Sequence, residues 1–161
     1  MKKWLVFFFI LSLLCTASCQ RAQYRDDVLC ETITTAVCEE IEDDEEFLPF
    51  GEEHIRFSFE DTDRFADKSL VYSVRSENID EIGVFLAESD EDVPELRRIC
   101  EQYVETLREE QRAFVASYAP REATKLDAAT VRVFGRYVVY TVLSENDREE
   151  AFEAIEEMLK K

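Results

Sequence analysis

The segment from residue 93 to residue 118 places the strongest constraint on how this chain folds. Its apolar residues recur at steps of three and four, while Glu, Gln and Arg fill the other side. The apolar positions are Val93, Leu96, Cys100, Tyr103, Leu107 and Phe114. This spacing predicts one amphipathic helix of about 40 Å, begun by a capping box of Asp92 and Glu95 and ended by Pro120. Such a helix must bury its apolar stripe, so we expect another layer to lie against it.

Two predicted β-hairpins supply that second layer. Residues 70–75 and 82–87 each alternate in period two, and a polar, turn-prone stretch separates them. Residues 130–134 and 137–142 flank Gly135-Arg136, where Gly can adopt the positive φ of a two-residue turn. Both hairpins are therefore predicted to be antiparallel.

The Gly135-Arg136 turn also fixes the pairing register of the second hairpin. It sets Phe134 opposite Tyr137, and the two members of every cross-strand pair point to the same face of the sheet. One face is then entirely apolar and consists of Val131, Val133, Val138, Tyr140 and Val142. We therefore expect Val133 to lie on the buried face and Val139, on the opposite face, to tolerate a charge better.

Helices are predicted on either side of these hairpins. The first is capped by Asp26 or Asp27 and runs to about residue 41. The last begins near Asn146 or Asp147. This order of elements predicts an α+β fold, a two-layer sandwich of antiparallel hairpins covered by a long amphipathic helix, with flanking N- and C-terminal helices. The chain has 161 residues, of which 46% are hydrophobic, and this suits one packed domain.

The first 18 residues have the layout of an export signal. Lys2 and Lys3 precede an almost entirely apolar run from residue 4 to residue 15, and small residues follow. About a dozen apolar residues are too few to span a bilayer, which needs about 20. A cleaved signal peptide is therefore favoured over a membrane-spanning anchor.

Cys19 is the predicted lipidation site. The small residues Ala17 and Ser18 in front of it resemble the lipobox of bacterial lipoproteins, in which the Cys receives a diacylglycerol thioether and becomes the first residue. Two or more acyl chains such as palmitate give stable anchoring. The alternative is ordinary cleavage near Cys19, which would leave a secreted protein.

These features divide the chain into three predicted parts. They are a signal peptide at 1–18, a lipidated Cys with a short tether at 19–25, and a single α+β domain at 26–161. The predicted location is the cell membrane, with the protein lipid-anchored on the extracytoplasmic face.

The charge balance restricts the classes of partner. Lys and Arg number 19 against 37 Asp and Glu, which gives a formal net charge of −18. Nucleic-acid binding needs clustered cations, so no nucleic-acid partner is predicted. Anionic headgroups also repel this body, so a covalent lipid is needed to hold it at the membrane. With 3 Gly and 1 His, the sequence predicts no cofactor and no metal site.

Three cysteines belong to the predicted domain, at positions 30, 38 and 100. Cys30 and Cys38 are eight residues apart on one predicted helix, roughly 12 Å, which is too far for a disulfide. Either can meet Cys100, and the candidate bridge joins Cys38 to Cys100. The favoured interpretation is three buried thiols that act as small hydrophobic groups.

Four phenylalanines form an aromatic set in an acidic region: Phe47, Phe50, Phe57 and Phe59. The alternation of apolar residues over 55–59 predicts a short strand there. Apolar residues on a loop can form a partner-binding patch. The favoured interpretation is that they close one end of the sandwich core.

Several motifs follow one another in a recognisable order. They are the lipobox-like start, Asp80-Glu81-Ile82-Gly83-Val84-Phe85, the long charged helix, Tyr118-Ala119-Pro120 and Gly135-Arg136-Tyr137-Val138. As a set they resemble the bacterial lipoprotein family catalogued as domain of unknown function 4358, over roughly residues 26–160. The resemblance implies a small exported lipoprotein domain without an established activity, and it supplies no catalytic residues.

The function predicted from the sequence is that of a non-enzymatic, membrane-tethered extracytoplasmic interaction domain, whose partners are the membrane and an unknown protein. It follows from the export signal, the short tether, the acidity and the lack of a catalytic motif. The alternative is a small extracytoplasmic enzyme or ligand-binding protein that uses a carboxylate/aromatic pocket. Convergence of polar side chains in an apolar-walled pocket would favour this alternative.

The variant Cys19→Ala is expected to be released from the membrane or to remain unprocessed, because no thioether can form without the thiol. Membrane fractionation and the apparent mass of the product check this. A processed variant that still sediments with membranes would contradict the lipid anchor.

Overall fold

The computed structural model describes residues 23–41, 46–59 and 64–161, which contain five helices and five strands. The helices are α1 (Cys30–Glu40), α2 (Glu52–Ser58), α3 (Val93–Tyr118), α4 (Ala123–Ala128) and α5 (Glu145–Leu159). The strands are β1 (Phe47–Pro49), β2 (Phe65–Ser73), β3 (Glu81–Ala87), β4 (Thr130–Phe134) and β5 (Tyr137–Val142). All pairings are antiparallel, and the strand order in the sheet is β1-β2-β3-β5-β4.

The sheet is covered on both faces. On one face, Leu96 and Cys100 of α3 share a core cluster with Phe85 of β3 and Val138 of β5. On the other face, α1 and α5 form a second cluster with Ile82, Val84 and Val139 among others. The predicted α+β sandwich of antiparallel hairpins under a long helix is thus confirmed, and the two flanking helices add a third layer.

The register predicted for the second hairpin is confirmed. Phe134 pairs with Tyr137 and Val133 with Val138. Gly135 has φ +61°, a left-handed conformation that L side chains rarely adopt.

Residues 55–58 form the end of helix α2 and Phe59 follows as its C-cap, so the predicted strand is wrong. Ile55 and Phe59 are buried in the core, whereas Phe57 is 93% exposed. In a strand these three positions would share one face, whereas in a helix only positions 55 and 59, about one turn apart, do. From the sequence alone, a short apolar run does not distinguish a helix from a strand.

Helix α1 begins later than predicted. Its N-cap residue is Leu29, whose side chain makes no capping hydrogen bond. The backbone N–H of Cys30 instead donates to the Asp67 carboxylate of β2, at 2.7 Å. The N-terminus of α1 is therefore capped by a strand distant in sequence and not by Asp26 or Asp27.

Helix α3 has the predicted bounds but not the predicted cap. Asp92 has helical φ and ψ and makes no capping hydrogen bond. Its carboxylate accepts from Arg64 Nη1 at 2.7 Å and from Ser89 Oγ at 2.6 Å. Phe114, predicted on the buried stripe, is 62% exposed.

The expectation about the two faces of the second hairpin is wrong. Val139 is fully buried against α1 and α5, while Val133 is only partly buried on edge strand β4. A helical layer on each side makes central strand β5 buried at every position. Position along the sheet, centre or edge, therefore decides burial here more than the face does.

We predict that Val139→Asp destabilises the protein more than Val133→Asp. An unpaired charge at the fully buried site should cost about 3–5 kcal/mol, and at the partly buried edge site about 1–2 kcal/mol. Urea denaturation of the two variants measures the difference in the free energy of unfolding. A larger loss for Val133→Asp would contradict the three-layer arrangement.

Candidate functional site

A cavity of about 460 Å³ lies between α2, α3 and the start of β3. Its apolar walls include Phe50, Phe57 and Tyr103, and Glu81 is one of its lining residues. Its volume lies within the range of small-molecule sites, about 300–1,000 Å³, and aromatic and polar side chains share its lining. We therefore take this cavity as the candidate functional site.

Glu81 is a carboxylate inside the protein, only 8% exposed. The hydroxyl of Tyr103 donates to its Oε1 at 2.7 Å, and the hydroxyl of Tyr140 donates to the same oxygen. Burial raises the pKa of Glu81 to about 7, although both hydrogen bonds oppose this rise. Glu81 therefore changes its charge near neutral pH.

The two tyrosines are fixed as donors to Glu81. Burial, together with the nearby carboxylate, raises the pKa of both Tyr103 and Tyr140. Both keep their phenolic protons at physiological pH, and each ring packs in the core. Their rings contact one another edge to face, with centroids 5.2 Å apart.

Gly83 makes this arrangement possible. It pairs with Tyr140 across the β3–β5 ladder, and it shares a strand face with Glu81, two positions earlier. A Cβ at position 83 would overlap the ring of Tyr140. Because Gly83 has no side chain, the ring lies across β3 and its hydroxyl reaches Glu81.

The carboxylate next to Glu81 has a different environment. Asp80 is 2% exposed and lies 2.6 Å from Lys125 Nζ, which also contacts Glu122 at 2.8 Å. Burial opposes the charge on Lys125, but the hydrogen bonds to Asp80 and Glu122 raise its pKa. Asp80 is thus paired with a cation, whereas Glu81 is held by neutral hydroxyl groups.

The α2 wall of the cavity is aromatic. The ring of Phe50 stacks on His54, with centroids 4.2 Å apart and planes at 12°. His54 Nε2 lies 3.3 Å from Ser58 Oγ. Partial burial lowers the pKa of His54, so its ring is neutral at pH 7.

The predicted aromatic set does not form one surface. Phe59 is buried in the core beside Tyr103, and Phe47 packs against the cluster on the opposite face of the sheet. Phe50 and Phe57 line the cavity. The structure therefore brings two of the four residues together and places the other two in the packing of the fold.

The candidate Cys38–Cys100 disulfide is not formed. Cys100 lies in the cluster beneath α3, and Cys38 packs against the cluster on the other side of the sheet. Cys30, Cys38 and Cys100 are all free thiols. The sheet separates the two partners, and burial raises the pKa of all three thiols, to about 11 at Cys38.

The predicted lipidation site, Cys19, lies outside the described residues. Within the described residues, no three or more His, Cys, Asp or Glu side chains are grouped so that they could hold a metal ion. Of the described helices, none is both long and apolar enough to cross a membrane.

Comparison with known proteins gives no match to a family model, a curated protein or a solved structure. The resemblance to the lipoprotein family stays a prediction. The site is therefore interpreted from its own geometry.

The sequence placed the residues of this site but did not connect them. Tyr103 and Tyr140 were each assigned to an apolar face, and Glu81 falls at the start of the first hairpin's second strand. Only the two tyrosines carry a polar group at a position predicted to face inward, whereas the sequence pattern left Glu81 in the polar stretch before the strand. Those two hydroxyl groups were the available signal, but pairing the three residues requires the packing of α3 on the sheet.

Glu81→Gln is expected to remove a pH-dependent loss of stability. The pKa of Glu81 is raised in the folded state to about 7 from an ordinary value of 4.5. The stabilisation from the protonated carboxyl is therefore complete below about pH 4.5 and is lost as the pH rises through about 7. Between pH 4.5 and pH 8, the free energy of unfolding of the variant should gain about 2–3 kcal/mol relative to wild type.

Urea denaturation at several pH values measures this difference. The control is Glu110→Gln, which changes an exposed carboxylate on the same cavity. The assignment to Glu81 would be contradicted if the difference in the free energy of unfolding between wild type and Glu81→Gln did not depend on pH. It would also be contradicted if Glu110→Gln showed the same pH-dependent difference.

Proposed function

We propose that this protein is a small-ligand-binding domain, held at the extracytoplasmic face of the membrane by a lipid on Cys19. The observation that carries the proposal is the buried carboxylate of Glu81 within an aromatic-walled cavity of about 460 Å³. Proteins bury a carboxylate without a cationic partner at a cost in stability. A carboxylate kept at the wall of a cavity despite this loss of stability indicates a functional site.

The side chains around the cavity favour binding over catalysis. Ser58 and His54 form the one hydroxyl–imidazole pair among the described residues that line it. Their separation of 3.3 Å is long, and among the described residues no carboxylate hydrogen-bonds to His54 to orient it. A nucleophile needs a base that is itself oriented, so the pair gives weak support for hydrolysis.

A second candidate function, protein–protein interaction, is supported by exposed aromatic rings. Phe57, Phe114 and Tyr118 are 93%, 62% and 77% exposed. Phe114 and Tyr118 lie one turn apart on α3, with ring centroids 4.6 Å apart, and Phe57 stands at the cavity. Exposed aromatic rings are enriched at interfaces with proteins.

The position of the cavity favours a partner away from the bilayer. The N-terminal segment enters the domain at Tyr24, which packs against Phe134 with ring centroids 5.7 Å apart. Phe134 lies at the Gly135 turn, whereas Glu81 pairs with Val142 at the other end of the sheet. A tether attached near Tyr24 would therefore keep the cavity on the side remote from the membrane.

A thermal-shift screen of small aromatic and aliphatic compounds against the full chain tests the binding function. A ligand at high excess over its Kd should raise Tm by about 2–5 °C. The variant Thr106→Phe should abolish the shift, because Thr106 is an exposed α3 residue whose side chain lines the cavity.

The matched control is Glu109→Phe, an exposed α3 position that is not a lining residue. It should keep the shift. Absence of any stabilising compound, or equal shifts in both variants, would contradict ligand binding in this cavity.

A further inference from the structure

We propose that the ligand of this cavity is a small organic ammonium compound, whose cationic group is held by Glu81 and whose apolar body lies against the aromatic walls. This rests on the proposed function and specifies the chemical class of the ligand. Three features of the lining carry it: charge, hydrogen-bonding character and ring content.

The charge of the lining is negative. Glu81 and Glu110 both line the cavity, and the described lining residues include no lysine and no arginine. His54, the lining residue with a basic side chain, is neutral at pH 7 because burial lowers its pKa. An anionic ligand would enter this cavity without a counter-charge, whereas a cation would gain one.

Besides the side-chain amides of Gln102 and Gln111, which also carry N–H donors, Glu81 and Thr106 offer acceptors to the cavity. Both tyrosine hydroxyls donate to Oε1 of Glu81, and among the described residues none donates to its Oε2. The Thr106 hydroxyl donates to the Gln102 carbonyl at 3.0 Å, which leaves its oxygen lone pairs as acceptors. An ammonium group offers only donors and therefore complements these acceptors.

The rings of the lining suit a cation with an apolar body. Phe50, Phe57 and Tyr103 surround the cavity, and ring faces attract ammonium groups within about 6 Å. Phe57 is 93% exposed, so its ring is accessible to a ligand. A bare metal ion is not favoured, because the described residues hold no group of three or more potential ligands.

The ionisation of Glu81 makes the affinity for an ammonium compound depend on pH. Two titratable groups contact Glu81, Tyr103 on α3 and Tyr140 on β5, and two more, His54 and Glu110, line the same cavity. Both tyrosines stay protonated, so they do not change charge between pH 6 and pH 8. Over this range Glu81 gains its negative charge, so ammonium affinity should rise with pH.

Phenethylamine and 2-phenylethanol are matched probes of this inference. They share the ring and the chain length, and only the amine is charged at pH 8. Isothermal titration calorimetry of the full chain in a non-ionic detergent should show the amine binding about tenfold or more tightly than the alcohol. The anion 3-phenylpropionate should bind more weakly than either.

Glu81→Gln should weaken amine binding about tenfold or more and change alcohol binding less than about twofold. The glutamine carbonyl can still accept from both tyrosines, so the packing around it is conserved. In His54→Gln, the rise in amine affinity from pH 6 to pH 8 should persist, which assigns it to Glu81.

Equal or tighter binding of the alcohol in wild type overturns the inference, and this comparison does not depend on a variant that folds. Unchanged amine affinity in Glu81→Gln also overturns it. If neutral compounds bind in the cavity without a preference for the amine, the proposed ligand-binding function stands and only the ligand class is wrong. If neither probe binds, the inference about the ligand class is wrong. The proposed ligand-binding function is then also wrong only if the thermal-shift screen finds no ligand.

Discussion

Burial of the central strands on both faces is the constraint on which the rest of the structure depends. Every residue of β3 and of β5 is buried, because α3 covers one face of the sheet and α1 with α5 cover the other. A polar side chain on these strands is therefore costly in stability unless it finds a partner within the protein. Glu81 does so through two tyrosine hydroxyls, one on α3 and one on β5.

The same constraint explains why the candidate site lies where it does. Glu81 opens strand β3 at the end of the sheet where α2 crosses near α3, and the cavity forms between these helices. Farther along the strand, Phe85 fills the space beneath α3 in the core cluster. The change from Phe85 to Gly83 to Glu81 along one strand face thus turns a packed core into a polar, ring-lined cavity.

Two carboxylates adjacent in sequence illustrate how environment assigns roles. Asp80 is paired with Lys125 and fixes the connection before β3, which is a structural use of a buried charge. Glu81 is buried and meets only neutral donors, and burial raises its pKa. A buried carboxyl that titrates near neutrality beside a cavity is the kind of group that binding sites employ.

Local patterns in the sequence determined the long helix, both hairpins and the register across Gly135-Arg136, because each depends on residues close together in the chain. The tertiary structure alone decided that α1 and α5 form a third layer, which buries Val139 more than Val133. It also decided that α1 is capped by Asp67 of β2.

The candidate site was likewise decided by the tertiary structure. Tyr103 and Tyr140 are separated by 22 and 59 positions from Glu81, the carboxylate that joins them, and no local spacing encodes that meeting. The sequence placed the two tyrosines on apolar faces, but it left Glu81 in a polar stretch between strands. Only the packing of α3 across β3 and β5, with Gly83 leaving room for the Tyr140 ring, brought the three together.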